Sequence, residues 1–535
     1  MFRLPRILPC LTALASACAC AAGPALPTTP QAWRAAAQAD IEAAVQVTRE
    51  NHPGTLDPHN PGFPARLDDA RRHGLALAAR IEDAAGYVAA VEGFNVRIGD
   101  GHAGMRVLID AASLPPERWP GFVTVWRGGA LYVYAGQAGT PAAGSRLLGC
   151  DGKPGEQLVR ENVFAFTGRV SEAGQWWVAA PLLFVDGGNP FVKPPQRCRF
   201  EHEGAVSEHA LAWRALDAEG RRWREESESG DALPVGKTEP RPNLAWVAMP
   251  TFHPNEAERA AYRAMTRDAK ENRARWLTLD AVVIDLRRNG GGNSAWSHDF
   301  ARALWGRARV DRALADFSAR SEVWWRASPA NTDYVASIVQ VLAQQGQPDQ
   351  AAWAREQSEG MRAALARGEP FYVQKKDGRA AAAAPDTTAP FTKSVYVVVP
   401  GDCASSCLDA LDVFTRFPNT TLVGAPSSAD STYMDVRRHP LASGLARVTV
   451  PNKMYVNRGR ANGQFYPVGL EMRELSWSTD AFLRLVEADL ARRHRQRRQD
   501  HAREPSGHAR SAQSGLCREP GSGPAPRPGP GGEGA

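Results

Sequence analysis

Three short segments of the sequence combine glycines with side chains that could do acid–base or nucleophilic chemistry. One holds an Asp-Gly-His run, one holds three consecutive glycines after an apolar stretch, and one holds two adjacent serines among small residues. In chain order these segments are Ile98–Met105, Val283–Asn293 and Val399–Ala410. Their chemistry depends on the helices and strands that bring them together.

The glycine-rich segment follows a continuous apolar run, Leu279–Leu286, which is typical of a buried parallel strand. Glycines at the end of such a strand allow a sharp turn and leave backbone N–H groups facing a ligand. The sequence here has no Gly-Lys-Ser/Thr and no Gly-x-Gly-x-x-Gly pattern, so it does not match the nucleotide-binding motifs. The other use of such a loop is an oxyanion hole for acyl transfer.

The serine-containing segment also has the pattern of a strand, a tight turn and a helix. Ser405 and Ser406 stand where the helix begins, and the positive end of a helix favours negative charge on a nearby oxygen. Taken alone, such serines are more often helix N-caps than nucleophiles. Taken alone, His102 between glycines is more often a loop residue than a base. The combination of the three segments decides the interpretation.

Helical spacing of apolar residues and short β-type runs predict the elements around these segments. The first part of the chain predicts helices over Gln31–Arg49 and Leu67–Ala89, and then a hairpin with Phe122–Trp126 and Leu131–Tyr134 as its strands. From residue 243, strands and helices alternate, which predicts an α/β sheet. Those strands are Leu244–Met249, Leu279–Leu286, Lys393–Val399 and Thr420–Gly424, and the helices are Glu256–Ala274, Ser294–Trp305 and Leu408–Phe417.

Together the three segments resemble the C-terminal processing (tail-specific) peptidases and the tricorn core protease. In that family an Asp-Gly-His loop, an Ile-Asp-Leu-Arg-x-Asn-x-Gly-Gly strand and loop, and a Ser-Ala-Ser/Ala-Glu helix start occur in this order. The resemblance covers about residues 92–475 apart from a helical insertion. The run Ala143–Pro154 is similar to the strand and Asp-Gly turn of PDZ-like domains.

The resemblance implies an α/β protein with a ClpP/crotonase-like α/β core, an N-terminal helical region and an inserted PDZ-like β domain. The expected domains are a signal peptide over 1–23, a helical region over 28–95, and the His-containing loop with the PDZ-like domain over 96–240. The α/β peptidase core then spans 241–490 with a helical insertion over 310–390, and a basic, Gly/Pro-rich disordered tail spans 491–535.

Carried over onto matching positions, the family motifs give Ser405 the role of nucleophile. Ser406 matches the residue whose backbone N–H is one oxyanion donor. Gly291 matches the second donor, with Gly292 as the near alternative. The processing peptidases place a lysine base in a run that aligns here with Gly424–Asp430, so Asp430 stands where that lysine would be. A Ser–Lys dyad is therefore excluded at this position.

The tricorn type instead uses the histidine of the first segment, and His102 is present. A histidine can accept a proton from the serine at neutral pH and return it to the leaving amine. His298, on the helix after the glycine loop, is a weaker candidate base. The acid that would orient His102 stays open: the candidates are Asp100, which is near in sequence, and Asp435 and Glu471 in the C-terminal segment.

The N-terminus predicts export. Arg3 and Arg6 precede an apolar run that ends in small residues near residue 22, the pattern of a secretory signal. The residues before Cys18 also loosely resemble a bacterial lipobox, so a lipoprotein is the alternative, and membrane attachment is expected only through that lipid. The expected location is secreted or periplasmic.

An exported chain changes what its cysteines imply. Their spacing matches no zinc motif, so neither a metal nor another cofactor is expected. Cys150 with Cys198 and Cys403 with Cys407 are the suggested disulfides.

The 64 Lys and Arg against 58 Asp and Glu give a net charge of +6, which raises the question of a polyanionic partner. The charge lies at the two ends of the chain, with +5 in residues 492–535 and +2 in residues 1–23, so the part between has −1. The folded body therefore has no basic excess for nucleic acid.

The sequence predicts an exported serine peptidase that acts on polypeptides, with the PDZ-like domain recognising chain ends such as C-termini through an exposed strand edge. The alternative is a non-catalytic relative of the same fold that binds peptides or hydrophobic ligands.

Overall fold

The computed structural model describes residues 25–375 and 388–503, a mixed α/β structure with several sheets. The predicted signal peptide, Cys18 and the chain beyond residue 503 lie outside the described residues. The helices are α1 (Pro30–Asn51), α2 (Phe63–Ala78), α3 (Ala84–Ile98), α4 (Gly155–Leu158), α5 (Ala173–Ala179), α6 (Ala218–Ser229), α7 (Glu256–Glu271), α8 (Arg273–Leu277), α9 (Ala295–Trp305), α10 (Arg307–Ser318), α11 (Pro329–Gln344), α12 (Pro348–Ala366), α13 (Ser406–Phe414) and α14 (Thr479–Arg503).

The strands form four sheets among the described residues. They are β1 (Gly104–Val107), β2 (Arg118–Trp119), β3 (Phe122–Arg127), β4 (Ala130–Gly136), β5 (Arg146–Cys150), β6 (Lys153–Pro154), β7 (Arg197–His202), β8 (Ala205–Ala210), β9 (Arg214–Ala215), β10 (Gly236–Arg241), β11 (Leu244–Ala248), β12 (Ala281–Asp285), β13 (Glu322–Arg326), β14 (Phe371–Val373), β15 (Ser394–Val399), β16 (Thr420–Gly424), β17 (Tyr433–Pro440), β18 (Ala446–Val456) and β19 (Leu470–Glu471).

The central sheet has the strand order β10-β11-β12-β15-β16-β19 and is parallel except for β10, which runs antiparallel to β11. Every residue of β11 and β12 is buried, as expected for strands covered on both faces. Side chains from α7, α9 and α13 join these strands in one apolar core. The predicted strands of this sheet are confirmed, with ends that differ by up to two residues.

The β-rich part between residues 122 and 210 forms a sheet of order β3-β4-β5-β7-β8, with β6 paired to β5. The predicted hairpin is confirmed, since β3 and β4 pair antiparallel across Gly128 and Gly129. Cys150 and Cys198 are opposite each other in β5 and β7 and are joined by a disulfide. We call this part, with the helices α4 and α5, the β-module.

A further sheet of order β1-β18-β13-β14, with β17 also paired to β18, packs against the N-terminal helices. Residues 310–390 were expected to be helical, yet they also contribute β13 and β14 to this sheet. The strand signal was missed because β13 is short and its sequence does not alternate between apolar and polar residues. Its pairing partner, β18, lies more than 100 residues further along the chain.

The expected helix over Leu67–Ala89 is wrong as one helix, because the chain breaks between α2 and α3. Asp83 causes the second start: its Oδ1 accepts a hydrogen bond from the N–H of Gly86 at 2.8 Å, which makes it the N-cap of α3.

The chain forms two compact units that divide between Leu485 and Val486, within α14. In the second unit α14 continues to Arg503, so the tail does not become irregular at residue 491 as expected. Asp489 forms ion pairs with Arg492 and Arg493, the spacing at which side chains meet on one helix face. None of the helices in the described part of the chain is both long and apolar enough to cross a bilayer.

The side chain of Arg287 is fully buried and connects the end of β12 to other parts of the first unit. Its guanidinium donates to both carboxylate oxygens of Asp285 and to the carbonyl oxygen of Trp477 at 2.8 Å. Asp285 also accepts a hydrogen bond from Nε1 of Trp246 at 3.1 Å, so its carboxylate holds the end of the strand. A buried cation with this many partners leaves unpaired groups behind when it is removed.

Replacing Arg287 by Ala therefore lowers the free energy of unfolding by about 3–5 kcal/mol, because the carboxylate of Asp285 stays buried without its partner. The matched control is Arg288→Ala, since Arg288 is the exposed neighbour and pairs with Glu225 at the surface. We expect about 1 kcal/mol or less for the control. Urea unfolding of the two variants measures the difference, and equal midpoints would contradict this role of Arg287.

Candidate active site

Three loops meet at the carboxyl edge of the central sheet, because β12, β15 and β16 are adjacent and parallel. The glycine loop follows β12, the serine turn follows β15, and a segment that includes Asp430 follows β16. Ligand sites of open α/β sheets lie at this edge. The fold therefore brings two of the three segments singled out in the sequence to one place.

Ser405 has a backbone conformation that non-glycine residues seldom adopt, with φ 56° and ψ −127°. It is the N-cap residue of α13, but its side chain makes no capping hydrogen bond, and the side chain is half-buried. Its N–H donates to Oδ2 of Asp430 at 2.6 Å. A strained serine at a strand-to-helix turn, with its Oγ free of the helix, is the arrangement of a nucleophile elbow.

A disulfide brackets this turn. Cys403 and Cys407 are bonded, both are fully buried, and Ser405 lies between them. The bond closes a loop of a few residues around the strained position, and this limits the conformations that the turn can reach. The two cystines in the described residues are thus the pairs suggested by the sequence.

Ser406 differs from Ser405 in that its hydroxyl is used inside the structure. Its Oγ donates to the carbonyl oxygen of Gly292 at 2.6 Å and accepts from Oγ of Ser294 at 3.2 Å. Its N–H is the first of α13 and has no acceptor within the described part of the chain. The side chain of Ser406 therefore holds the glycine loop, while its N–H stays available.

The two glycines expected as oxyanion donors have different surroundings. A Cβ on Gly291 would lie 2.8 Å from the Cβ of Ser405, so only glycine allows this approach. Its N–H, however, donates to Oδ1 of Asn289 at 2.9 Å. The N–H of Gly292 has no acceptor among the described residues. In this conformation the glycine of the loop whose N–H has no acceptor among the described residues is thus Gly292 rather than Gly291.

Asp430, at the position of the family lysine, is itself held by Arg460. The Nη1 of Arg460 lies 3.5 Å from Oδ2 of Asp430, and the guanidinium also pairs with Asp409 and Asp412. Arg460 is 2% exposed, so these are interactions between buried charges. Burial raises the pKa of Asp412, and the charge of Arg460 opposes that rise. This network fixes the carboxylate that binds the Ser405 N–H.

His102 lies in the loop between α3 and β1. Its Nδ1 is buried without a hydrogen bond in the described residues, while its backbone N–H donates to Oδ1 of Asp100 at 2.9 Å. Asp100 does not contact the ring of His102. Its Oδ2 instead lies 2.9 Å from Nε2 of His52, a fully buried residue at the end of α1.

The tautomer of His52 follows from its surroundings. Its Nδ1 accepts from the N–H of Gly54 at 2.9 Å, so Nε2 carries the proton that it donates to Asp100. Burial would raise the pKa of Asp100, but hydrogen bonds from His52, Ser431 and the His102 N–H outweigh burial and lower the pKa. Asp100 is thus an anion that shapes the loop of His102.

The segment Ala429–Ser431 connects the two halves of the site. Asp430 binds the Ser405 N–H, and Oγ of the next residue, Ser431, donates to Oδ1 of Asp100 at 2.6 Å. Ala429 is held from the β-module, since its carbonyl oxygen accepts from Arg169 at 3.1 Å and its N–H donates to Glu172 at 3.0 Å. The loop of His102 and the turn of Ser405 are thus both held by hydrogen bonds to the tripeptide Ala429–Ser431.

The other candidate acids are engaged elsewhere. Asp435, in β17, forms an ion pair at 2.6 Å with Lys453, which also removes that lysine as a free base. Glu471 is exposed at the end of β19 and interacts electrostatically with Arg127. His298 lies on α9 near Asp409, and burial lowers its pKa. Neither Asp435 nor Glu471 is brought to His102 by the contacts in the structure.

Sequence reasoning missed His52 and the roles of Ser431 and Arg460. Asp430 left a signal, because it replaced a charged residue of the family motif with the opposite charge. His52 left none: it is 48 residues from its partner Asp100, and only the fold shows that they meet.

The fold is shared with known peptidase structures, whereas no protein-family model and no curated protein matches the sequence. Mature CPAF is 12% identical, covers 85% of this chain and 98% of its own, and superposes with a TM-score of 0.56. Mature CPAF complexed with lactacystin is 12% identical over 86% of this chain and 97% of its own, with a TM-score of 0.54. CPAF is a serine peptidase of the C-terminal processing type. At this identity the likeness establishes the fold.

Matches of lower similarity include the photosystem II D1 C-terminal processing protease, at a TM-score of 0.30, and the tricorn protease, at 0.35. These values are too low to support an argument about this chain. The expected family resemblance is confirmed at the level of structural neighbours.

Replacing Asp430 by Ala removes the acceptor of the Ser405 N–H, so the strained turn relaxes and Ser405 reacts more slowly. We expect the second-order rate of fluorophosphonate labelling to fall about tenfold or more, the effect of losing one hydrogen bond to a charged group. Asp430→Asn keeps an acceptor oxygen and retains more of the rate. The control is Asp68→Ala, which removes an exposed aspartate that pairs with the exposed Arg49. Equal rates for the Ala variant and the wild type would disprove this positioning role.

Proposed function

We propose that the protein is an exported serine peptidase that hydrolyses peptide bonds with Ser405 as nucleophile and His102 as general base. The observation that carries the proposal is the conformation of Ser405, a half-buried serine at positive φ with a hydroxyl that does not cap its helix. A glycine loop with a free N–H lies against it. This combination serves acyl transfer, and the neighbouring hydroxyl of Ser406 is already used in the structure.

In the proposed reaction Oγ of Ser405 attacks the carbonyl carbon of the scissile peptide bond while His102 accepts the hydroxyl proton. The N–H groups of Ser406 and Gly292 donate to the oxyanion of the tetrahedral intermediate, with the positive end of α13 behind them. His102 then gives the proton to the leaving amine. Water, deprotonated by the same histidine, attacks the acyl-enzyme and releases the second product.

No hydrogen bond from His102 Nδ1 to the described residues must break before this nitrogen can accept a proton. Asp100 acts through the backbone of His102 rather than through its ring. We assign Asp100 a positioning role, supported by His52 and Ser431, and propose no acid partner for the imidazole. This differs from the triads in which a carboxylate binds the second ring nitrogen.

We further propose that the central sheet is a ClpP/crotonase-like core and that the β-module is its PDZ-like insert. The Asp-Gly turn between β5 and β6 supports this reading. Strand addition for peptide ends needs an open edge, and the two ends of this sheet differ. The end strand β3 is buried, because α5 and the turn after it pack on it, whereas β8 is exposed along most of its length.

The edge of the β-module that is open for a peptide end to pair with is therefore β8 and not β3. Arg169 and Glu172, which precede α5, hold Ala429 beside the site. The end of a peptide bound to the β-module would thus influence the active site through the contact with Ala429. We propose polypeptides as the substrates.

Export to the periplasm or the exterior is proposed from the N-terminal sequence, with lipidation at Cys18 as the alternative. The two disulfides support it, since such bonds persist in oxidising compartments.

The central experiment treats the purified protein with a fluorophosphonate probe and measures casein cleavage for four forms of the chain. We expect wild type to be labelled and active, Ser405→Ala to lose both, and His102→Ala to lose about 10²–10⁴-fold in rate. Ser406→Ala is the matched control, because it is the adjacent serine; it should keep labelling at a reduced rate.

Labelling that survives Ser405→Ala but not Ser406→Ala would move the nucleophile by one residue. An unlabelled, inactive wild type would leave the non-catalytic binding protein as the better account.

A further inference from the structure

A cavity of about 300 Å³ lies between α3 and the β-module, apart from the residues of the proposed active site. Its walls combine apolar side chains with several polar and charged ones and come from the helix, the loop before β2, the module and α6. The side chains that form them include Val88, Leu114, Phe166, Leu182, Val185 and Val192. A volume of this size is at the lower end for small-molecule sites in proteins.

Glu92 projects from α3 into this apolar cavity and is half-buried. Its carboxyl has no hydrogen bond and no ion pair in the described part of the chain. Burial raises the pKa of Glu92 to about 7, and no neighbouring charge opposes that rise. An unpaired carboxyl in an apolar wall is costly for the free protein unless something else uses it.

The other charged groups of the cavity are already paired. Glu117 forms an ion pair with Arg224 at 3.2 Å, and Asp186 accepts from Nε of Arg118 at 2.9 Å. Both arginines therefore have carboxylate partners, and neither reaches Glu92. The cavity as a whole offers one uncompensated negative charge once Glu92 ionises.

We propose that this cavity binds a primary ammonium group attached to an apolar body, with Glu92 as the partner of the ammonium. The apolar walls take the body, and the ion pair with Glu92 replaces the solvation that the ammonium loses. A carboxylate ligand is disfavoured because Glu92, Glu117 and Asp186 all line the cavity. A neutral ligand would leave the negative charge of Glu92 uncompensated once the carboxyl ionises. The site does not depend on the proposed peptidase activity.

The ligand chemistry has two sources, a free amine or the amino terminus of a peptide with an apolar first residue. The probes are therefore 2-phenylethylamine and the dipeptide amide Phe-Leu-NH2. Their matched partners are 2-phenylethanol and acetyl-Phe-Leu-NH2, which keep the apolar body and lack the ammonium. Isothermal titration calorimetry with the full protein at pH 5.5 and pH 8 measures each affinity, and Ser405→Ala serves as background so that the dipeptide is not cleaved.

We expect 2-phenylethylamine to bind at least about tenfold more tightly at pH 8 than at pH 5.5. An alkylamine is protonated at both values, whereas Glu92 ionises between them. The amino terminus of Phe-Leu-NH2 loses its proton near pH 8, so for this probe the comparison is between wild type and Glu92→Gln at pH 7. Glu92→Gln lowers the affinity at pH 8 about tenfold or more and removes the pH dependence. Glu359→Gln is the matched control, because Glu359 is exposed on α12 and does not line the cavity. Val88→Phe fills the cavity and should abolish binding of every probe.

A second measurement does not need a ligand. In the folded protein the pKa of Glu92 is above its value in the unfolded chain, so the folded state holds an extra proton between about pH 4.5 and pH 7. Stability therefore falls as pH rises through that window. We expect the melting temperature of wild type to fall relative to that of Glu92→Gln between pH 5.5 and pH 8. The only other ionisable groups lining the cavity are Glu117, Asp186 and Arg224, which both proteins share.

The outcomes separate cleanly. Binding of 2-phenylethylamine but not of Phe-Leu-NH2 assigns the free amine as source, and the reverse assigns the peptide terminus. No binding of either ammonium probe, equal binding of the neutral partners, or wild-type affinity in Glu92→Gln would each overturn the proposal. A melting temperature that shows no pH-dependent difference between wild type and Glu92→Gln would do the same. None of these results bears on Ser405, so the peptidase proposal stands or falls separately.

Discussion

The site depends on the hydrogen bond that the Ser405 N–H donates to Asp430. A backbone φ of 56° is energetically unfavourable for a serine, so the surrounding structure must stabilise this conformation of Ser405. The carboxylate of Asp430 does so at 2.6 Å, and the buried Arg460 holds that carboxylate in turn. Because the N–H is fixed in this direction, the side chain of Ser405 points away from the capping position. The same constraint leaves the N–H of Ser406 at the open start of α13.

This constraint also explains how one loop serves two parts of the molecule. Asp430 lies between Ala429, which the β-module holds through Arg169 and Glu172, and Ser431, which binds Asp100. A shift of this tripeptide would move the turn of Ser405 and the loop of His102 together. The disulfide between Cys403 and Cys407 limits the same turn from the other side. Rigid elements on three sides therefore set the geometry, as proteins require for groups that must react in one orientation.

Much of this arrangement follows from local sequence. Strand β12 was predicted from its continuous apolar run, and β15 and β16 were predicted from short runs of β-type residues. The adjacency of these parallel strands places the glycine loop and the serine turn at one edge. The β3–β4 hairpin followed from its paired glycines. The break between α2 and α3 was missed because the capping residue Asp83 lies inside a run with helical spacing. Strand β13 was missed because its partner β18 is far along the chain, and β14 was missed because it joins the sheet through β13.

The parts of the site that could not be predicted are the long-range polar contacts. The pairing of His52 with Asp100 and the contact of Arg460 with Asp430 join residues from different elements, and neither leaves a pattern in the sequence. The resemblance to the peptidase family gave Ser405 and His102 as candidates but left the acid partner of His102 open. Asp100 was one of three candidates because it is near in sequence, and in the structure its carboxylate binds His52 instead. The resemblance also favoured Gly291 over Gly292 as the second oxyanion donor, whereas the N–H of Gly291 already donates to Asn289.

A crystal structure of the fluorophosphonate adduct tests the central claim most directly. We predict a bond from Oγ of Ser405 to phosphorus, with the phosphoryl oxygen about 2.7–3.1 Å from the N–H of Ser406 and from that of Gly292. The hydrogen bond from the Ser405 N–H to Asp430 should persist in the adduct. An adduct on another residue, or a phosphoryl oxygen that faces solvent away from both N–H groups, would contradict the account.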